Sequence, residues 1–364
     1  MNYFFLLIIL LVLFEFYLRS KKKSDIKYEN IKRVPSLNLE RSYKIKSNTG
    51  HLQNSKKSKI LGWDLVENSH INVEISIPYF KEETIDYFLN NVAARSNIKN
   101  YSSQYNKNII GYFGCSITYG HGLNNEKTFS HKLFEKTKDF DYLNFAVPGH
   151  STYQSLLKLK NKIKEIKFKK IVLGIHKDLE RRNTCSISWT KIINNYWAIP
   201  FKLNLLKYNL EFKPKKRFNL KFFNLQLVKL INNILNSIIF SIGSSKKIQK
   251  ETMKEILREF KEICSKNNIE LIIICLDNYN EIYDFLSENS FNWTTSNINL
   301  NEKDEKGKFK WQLLPWDNHP NEMANQIYYE KLYEIINSNK RPYKPNEILK
   351  EKKGEDQEYI YPIW

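Results

Sequence analysis

Residues 108–122 read Asn-Ile-Ile-Gly-Tyr-Phe-Gly-Cys-Ser-Ile-Thr-Tyr-Gly-His-Gly, a short apolar run followed by a turn rich in glycine. The run Ile109–Phe113 is typical of a strand buried on both faces, as in a parallel sheet covered by helices. Four glycines lie in this stretch, although the whole chain has only 11. Such a concentration predicts a loop in which the backbone needs positive φ or closely approaches another group.

Three further apolar runs repeat this arrangement along the chain. Tyr142–Val147, Lys170–Ile175 and Ile269–Leu276 are predicted strands. Helical stretches are predicted between and after them, up to about residue 136 and at 151–166, 250–267 and 321–336. Apolar strands that alternate with helices are typical of a parallel sheet with helices on both faces. We therefore expect an α/β fold of three layers, α/β/α, with a mainly parallel, doubly wound sheet.

This α/β domain is expected to span 106–340, with an insertion at 184–248 that we interpret as partly helical. The insertion could line a ligand cleft at the carboxyl ends of the strands, or it could simply pack on the body. Short alternating pieces at 60–105 predict a small β-rich leading segment. A polar linker at 24–59 and a charged tail at 341–364 complete the predicted organisation.

The N-terminal end contains an apolar run at 3–18, YFFLLIILLVLFEFYL, in which Glu15 is the one charged residue. Sixteen helical residues span roughly 24 Å, slightly less than a hydrocarbon core of about 30 Å. No basic residue precedes the run and no Ala-x-Ala-like cleavage site follows it, so a secretory signal is not favoured. We expect a single-pass membrane anchor at 1–23, with a buried helix as the alternative. The side of the membrane on which the domain lies stays open.

The composition excludes several classes of protein. There are 58 Lys+Arg against 39 Asp+Glu, which gives a net charge of +19, but the lysines are spread along the whole chain. No helix-turn-helix, zinc-finger or RNA-binding aromatic motif accompanies them, so nucleic-acid binding is not expected. The four cysteines are too scattered for a disulfide scaffold and contain no Cys-x-x-Cys pair, so a zinc site is not expected either.

Ser116 follows the first core strand, in a glycine-flanked turn that opens a helical stretch. A hydroxyl in that position stands clear of the sheet and is placed for nucleophilic attack. The segment does not match the Gly-x-Ser-x-Gly elbow of α/β-hydrolases, because Thr118 occupies the second glycine position. A plain strand-to-helix turn and a phosphate loop are the alternatives, although no lysine follows Gly120 as a P-loop requires.

The segment Trp316-Asp-Asn-His-Pro-Asn321 precedes the last predicted helix. A serine nucleophile needs an imidazole that takes its proton and an acid that orients the imidazole. His319 and Asp317 supply these groups, and distant loops can meet at one edge of a doubly wound sheet. The alternative is that Asp317 or Asn318 only caps the helix. Gly149, which follows the second core strand, adds to the catalytic interpretation.

The turn Gly114-Cys-Ser-Ile-Thr-Tyr-Gly120 resembles the first sequence block of the SGNH, or GDSL-type, serine hydrolases. Asn144–Gly149 is similar to their second block, and Asp317 with His319 is similar to their last. The resemblance implies an SGNH-hydrolase, flavodoxin-like fold. It also implies an esterase or acyltransferase whose catalytic triad is Ser116, His319 and Asp317.

The resemblance further implies which groups would stabilise the oxyanion of the reaction. The expected backbone donors are the N–H groups of Ser116 and Gly149. The third block of the family, Gly-x-Asn-Asp, reads Gly-Ile-His-Lys at 174–177. His176 therefore replaces the asparagine that would donate from its side chain, and His176 and Asn183 are the two candidate side-chain donors to the oxyanion.

Two smaller departures concern the residues next to the triad. Cys115 replaces the aspartate that usually precedes the serine, and Asp317 stands two residues before His319 rather than three. Neither change excludes a triad. The segment Leu61-Gly62-Trp63 resembles membrane-linked members of the family.

These observations predict a membrane-anchored esterase or O-acyltransferase that acts on acyl esters, with glycan- or lipid-linked esters as candidate substrates. The chemistry requires no metal and no organic cofactor. A catalytically silent module of the same fold that binds a glycan or lipid is the alternative, because the third block is degraded. A basic nucleic-acid binder is a third, less favoured hypothesis.

Overall fold

The computed structural model of the chain describes residue 14 and residues 42–47, 55–76, 83–192, 199–205, 208–212, 238–313 and 317–337. Within these residues, no helix combines the length and the apolar character that a membrane crossing requires. The run at 3–18 lies outside them apart from Phe14, as do the predicted tail at 341–364 and most of the predicted linker at 24–59.

Strands dominate the leading part of the described chain, and strands alternate with helices from residue 108 onward. The strands are β1 (Ser42–Ser47), β2 (Ser55–Ser58), β3 (Gly62–Leu65), β4 (His70–Ser76), β5 (Glu83–Phe88), β6 (Arg95–Ser96), β7 (Asn108–Phe113), β8 (Phe140–Asn144), β9 (Lys170–Ile175), β10 (Phe201–Leu205), β11 (Tyr208–Phe212), β12 (Glu270–Cys275) and β13 (Asn292–Thr295). The helices are α1 (Ser116–Tyr119), α2 (Phe129–Lys136), α3 (Thr152–Lys162), α4 (Leu179–Asn183), α5 (Ile187–Ile192), α6 (Lys246–Lys266), α7 (Asn280–Glu288) and α8 (Glu322–Asn337), with a 3₁₀ turn at Asn125–Lys127.

The main sheet has six strands in the order β13-β12-β9-β7-β8-β6. β7 pairs in parallel with β8 and β9, and β12 pairs in parallel with β9 and β13, whereas the edge strand β6 is antiparallel to β8. After the first residue of each strand, the residues of β7, β9 and β12 are buried, among them Phe113, Leu173 and Ile273. The predicted α/β class with a mainly parallel sheet is confirmed.

Helices lie on both faces of the main sheet. The chain moves in one direction from β7 to β8 and in the other from β8 to β9, β12 and β13, and right-handed crossovers then place the connecting helices on opposite faces. Accordingly α2 packs with α8, whereas α3, α4 and α6 pack together. The strand order reverses next to β7, and ligands bind at the carboxyl ends of strands at such a switch point. The turn that carries Ser116 lies at this point.

The leading part is continuous with the main sheet. β1, β4 and β5 form an antiparallel sheet, and β2 pairs with β3, but β6 joins the main sheet through the pairing of Arg95 with Asn144. The predicted boundary between 60–105 and 106–340 therefore cuts through this sheet. The two-residue strand β6 is too short to be read from sequence periodicity.

The predicted insertion at 184–248 contains the hairpin β10–β11 in addition to the helix α5. Phe201 and Leu203 on β10 are buried, but Lys202 between them is buried as well, with its ammonium group 2.9 Å from Glu259. The hairpin was not predicted, although Phe-Lys-Leu-Asn-Leu at 201–205 alternates apolar and polar residues.

Candidate active site

The turn that carries Ser116 is closed by a tight contact around Thr118. A Cβ atom added to Gly114 would lie 2.3 Å from Thr118 Oγ1, and one added to Gly174 would lie 2.1 Å from the same atom. Both distances are far below van der Waals contact, so the two glycines let the ends of β7 and β9 pack directly against this side chain. Thr118 stands at the sequence position of the second glycine of the α/β-hydrolase elbow, and here its side chain packs against both glycines.

The structure brings Ser116, His319 and Asp317 together. Ser116 Oγ is 2.8 Å from Nε2 of His319, and Nδ1 of the same ring is 2.5 Å from Oδ1 of Asp317. Ser116 and His319 are each only 4% exposed. The geometry fits the tautomer in which Nδ1–H donates to the carboxylate and Nε2 accepts from the serine hydroxyl. A hydroxyl, a base and an orienting acid thus form one continuous chain.

A local turn explains how a spacing of two residues still permits this arrangement. Oδ1 of Asp317 also accepts the backbone N–H of His319 at 2.7 Å, which is the hydrogen bond of an Asx turn. Burial alone would raise the pKa of Asp317. The positive charge that His319 can carry and hydrogen bonds from His121 and His319 outweigh burial, so the pKa of this carboxyl lies well below its usual range. Asp317 therefore remains ionised beside the imidazole.

A second histidine, His121, lies against the same carboxylate. Its Nε2 is 3.5 Å from Oδ2 of Asp317, and its ring centroid is 4.6 Å from that of His319. Tyr87 of β5 stacks on the other side, at 6.0 Å and an interplanar angle of 19°. Burial is the main cause that lowers the pKa of His121. Sequence reasoning missed this residue, although its place between Gly120 and Gly122 in the serine turn was a signal.

The loop after β8 lies alongside the serine turn. Phe145 N–H donates to Tyr112 O at 2.8 Å, and Val147 N–H donates to Gly114 O at 3.1 Å. Gly149 has φ of 79°, in the left-handed region. In the described part of the chain, neither the Gly149 N–H nor the Ser116 N–H makes a hydrogen bond. These are the two backbone groups predicted to stabilise an oxyanion.

His176 lies at the end of β9, against the residue that precedes the serine. Its Nε2 is 3.2 Å from Cys115 Sγ, and both residues are fully buried. Burial, followed by the charge of Arg182, lowers the pKa of His176 to about 3, so the ring is neutral at ordinary pH. Burial also raises the pKa of Cys115, which keeps the thiol protonated. The structure therefore places His176, a predicted side-chain donor to the oxyanion, against the thiol of the residue that precedes Ser116.

The structure does not bring Asn183 to the oxyanion position. Its side-chain oxygen accepts the backbone N–H of Tyr153 at 2.9 Å, in the first turn of α3, and its side-chain nitrogen is 3.4 Å from Met253 Sδ. Both polar groups of Asn183 are thus used in the packing of α3, α4 and α6. The prediction that Asn183 takes the place of the third-block asparagine is therefore wrong, because Asn183 lies on α4 with its side chain among the packed helices.

The set His121, Asp317 and His319 is the one group of potential metal ligands found in the described residues, with donor atoms within 4.8 Å of one another. The ring nitrogens of His319 already contact Asp317 and Ser116. A metal ion bound through this set would displace the hydrogen bonds of the triad.

Arg95 of β6 fixes the chain just after α1. Its buried guanidinium donates to the carbonyl oxygens of Tyr119, Gly120 and Leu123 at 3.0, 2.9 and 2.8 Å. It also lies 5.3 Å from the ring centroid of Tyr87, the residue that stacks on His121. The leading part therefore shapes the serine turn, which sequence reasoning did not predict.

No family model matches the chain, and no curated protein matches it. Among solved structures, it is similar to a GDSL-like lipase from Bacteroides thetaiotaomicron, with 10% identity and a TM-score of 0.35 over 63% of this chain and 87% of that one. A G-D-S-L family lipolytic protein from Veillonella parvula has 12% identity and a TM-score of 0.35 over 62% and 96%. The psychrotrophic esterase EstA from Pseudoalteromonas sp. has 12% identity and a TM-score of 0.34 over 63% and 97%. Such low identities and TM-scores carry no functional conclusion, and the function proposed below rests on the site geometry.

Proposed function

We propose that this protein is a serine esterase or O-acyltransferase of the SGNH type that acts on acyl esters through Ser116, His319 and Asp317. The observation that carries the proposal is the continuous hydrogen-bonded chain of these side chains, with distances of 2.8 and 2.5 Å. Ser116 is the first residue of α1, whereas Asp317 and His319 lie 201 and 203 positions later, in the segment before α8. If Asp317 only capped α8, there would be no reason for the buried Ser116 hydroxyl to contact Nε2 of His319.

The proposed reaction begins with attack of Ser116 Oγ on the acyl carbonyl, as its proton passes to Nε2 of His319. The tetrahedral intermediate collapses when the imidazolium returns this proton to the leaving alkoxide, and the acyl group stays on Ser116. Water or an acceptor hydroxyl then enters and loses its proton to His319. Its attack forms a second tetrahedral intermediate, which collapses as His319 returns the proton to Ser116 Oγ and the acyl group leaves as an acid or as a new ester.

Asp317 supports this cycle because it remains a carboxylate while the ring beside it gains and loses a proton. The low pKa of its carboxyl favours a proton on His319 rather than on the acid. The oxyanion would be stabilised by the N–H groups of Ser116 and Gly149. One such donor typically contributes about 10²–10³ in kcat.

Membrane attachment through residues 3–18 belongs to the same proposal and is supported by the apolar run in the sequence. A glycan- or lipid-linked acyl ester is the proposed class of substrate. The side of the membrane is left open, because one marginal span with basic residues after it does not decide the orientation.

Labelling with a fluorophosphonate tests the proposed nucleophile directly. The full-length chain in detergent is expected to become labelled at Ser116, and Ser116→Ala and His319→Ala are expected to abolish labelling. His70→Ala is a matched control, because the exposed His70 pairs with Asp86 at 2.8 Å rather than with a residue of the proposed site.

Two results would contradict the proposal. A folded wild-type chain that is not labelled would favour the catalytically silent binding module. Labelling that persists in Ser116→Ala would place the nucleophile elsewhere. Product analysis with an added acceptor alcohol separates hydrolysis from acyl transfer, because only transfer yields the new ester.

A further inference from the structure

The strand β3 lies against the loop after β8 and the start of α3. Trp63 Nε1–H donates to Pro148 O at 3.0 Å, and Trp63 O lies 2.9 Å from His150 Nε2. One residue earlier than β3, Leu61 O accepts from Gln154 Nε2 at 2.7 Å. Three hydrogen bonds therefore join a short stretch of the leading part to the loop that carries Gly149.

An ion pair between β3 and α3 adds to these contacts. Lys158 Nζ is 2.5 Å from Oδ1 of Asp64, and the lysine side chain is only 2% exposed. Separating a buried pair by removing one partner typically destabilises a protein strongly, because a charge is left uncompensated. The position of Trp63 is thus held by hydrogen bonds to the loop after β8 and by an ion pair of its neighbour Asp64 with α3.

The loop itself is a tight turn with a defined peptide orientation. His150 N–H donates to Val147 O at 3.1 Å, and Gly149 has φ of 79°. Proline at the second position, glycine with positive φ at the third and this hydrogen bond describe a type II turn. Type I and type II turns differ mainly in the direction of the central peptide, which here joins Pro148 to Gly149.

The contact of Trp63 falls on this central peptide. The carbonyl of Pro148 and the N–H of Gly149 belong to one planar trans unit, so they point in opposite directions. A hydrogen bond that holds the Pro148 oxygen therefore also sets the direction of the Gly149 N–H. The ring packs on the same unit, since a Cβ on Gly149 would lie 3.2 Å from Trp63 Cζ2.

We propose that Trp63 is a positioning residue that holds the Pro148–Gly149 peptide in its type II orientation and thereby directs the Gly149 N–H toward the oxyanion. The role of Trp63 in catalysis rests on the function proposed above, whereas its role in holding the turn is independent of that function. Trp63 acts through Gly149 and does not itself contact the reacting atoms.

The test compares Trp63→Phe with Trp189→Phe in the full-length chain. Both tryptophans are buried in the same apolar cluster, but in the described residues the Trp189 Nε1–H has no acceptor. Trp63→Phe is expected to lower kcat for an activated acyl ester about tenfold with KM changed less than twofold, because an oxyanion donor acts in the transition state. Trp189→Phe is expected to change kcat less than twofold. Equal kcat in the two variants, or a change confined to KM, would overturn the catalytic role.

A second measurement does not depend on activity. Hydrogen exchange of the His150 amide, which closes the turn, is expected to become about tenfold faster in Trp63→Phe and to stay unchanged in Trp189→Phe. If the wild-type chain is not labelled by the fluorophosphonate, the proposed function fails, and exchange still decides whether Trp63 holds the turn. Unchanged exchange in Trp63→Phe would overturn that role.

If Trp63→Phe does not fold, 3-benzothienylalanine at position 63 keeps the ring shape and replaces only the N–H by sulfur. In this variant too, kcat is expected to fall and hydrogen exchange of the His150 amide is expected to become faster. A fully active variant with unchanged exchange would contradict the proposal.

Discussion

Two loops contact the turn that carries Ser116, and each contains a histidine and an aspartate two residues apart. In the first loop, His319 has Asp317 on one ring nitrogen and the Ser116 hydroxyl on the other. In the second, the buried ring of His176 contacts Cys115, the neighbour of the serine. The first loop thus has the arrangement that a general base and its orienting acid require.

The difference lies in the partners of the two aspartates. Asp317 accepts from His319, whereas Asp178 forms buried ion pairs with two arginines of α4. A carboxylate that is neutralised by guanidinium groups does little to favour a proton on the nearby imidazole. Burial, together with Arg182, instead lowers the pKa of His176 to about 3. The same residue types therefore form the proposed base and its acid in one loop and a group of ion pairs with two arginines in the other.

The largest expected effect is on the first loop, in Asp317→Asn. An amide in place of the carboxylate favours the wrong imidazole tautomer and removes the charge that stabilises the imidazolium. We expect kcat to fall about 10³–10⁴-fold at neutral pH with little change in KM. Steady-state kinetics on an activated acyl ester measures this, and a fall of less than tenfold would contradict the assigned role.

The matched change in the second loop, Asp178→Asn, is expected to affect stability instead. It leaves the buried Arg182, whose Nε is 2.7 Å from Asp178 Oδ2, without its charged partner. Breaking such a pair costs about 3 kcal/mol in the free energy of unfolding. Urea unfolding measures the loss, and kcat per folded molecule should change less than threefold. A large loss of kcat with unchanged stability would contradict the comparison.

The third prediction concerns the pH dependence of stability that His176 produces. Its pKa is about 3 in the folded state and 6.5 as the reference value, so below pH 6.5 the unfolded chain binds a proton that the folded chain does not. Stability should therefore fall as the pH decreases from about 6.5 toward 3, by up to about 1.4 kcal/mol per pH unit. His176→Gln is expected to make this slope shallower in urea unfolding between pH 7.5 and 5.

The slope should not disappear in that variant, because burial also lowers the pKa of His150 to about 3. His150→Gln is the matched variant and should reduce the slope of stability against pH by a similar amount. An unchanged slope in His176→Gln would mean that the pKa of this ring is the same in the folded and the unfolded chain, which would contradict the prediction.

The smallest effect is expected for His121, the histidine on the outer oxygen of Asp317. The 3.5 Å contact is long, so His121→Phe should lower kcat only about fivefold, and His121→Gln, which keeps an N–H donor, should lower it less. Because a second imidazole on the same carboxylate competes for it, His121→Phe should also move the acidic limb of kcat/KM to higher pH. A pH profile of kcat/KM identical to that of the wild type would contradict a role for His121 beside Asp317.

The strands that could be predicted are those that are apolar on both faces. Ile109–Phe113, Lys170–Ile175 and Ile269–Leu276 correspond to β7, β9 and β12 within one residue at each end. The strand β13 (Asn292–Thr295) was not predicted, because four residues with Asn and Thr are recognisable as a strand only from their pairing with β12. The second predicted strand extends past β8, because Asn144 turns the chain by accepting the Ala146 N–H.

The candidate site divides in the same way. Ser116, Asp317 and His319 could be named from short motifs, because the chemistry demands those side chains at the ends of strands and helices. His121 and Trp63 could not be assigned a role, since each acts through contacts with residues distant in the chain.

The sequence by itself determined the parallel α/β sheet and the three residues of the proposed triad, because buried runs and chemical motifs are local properties. Only the tertiary structure decided which histidine faces the serine, that Asn183 lies away from the proposed site, and that the leading strands contact its loops. Those outcomes depend on which carboxylate, guanidinium or indole reaches each loop, and no local pattern encodes contacts between segments so far apart in the chain.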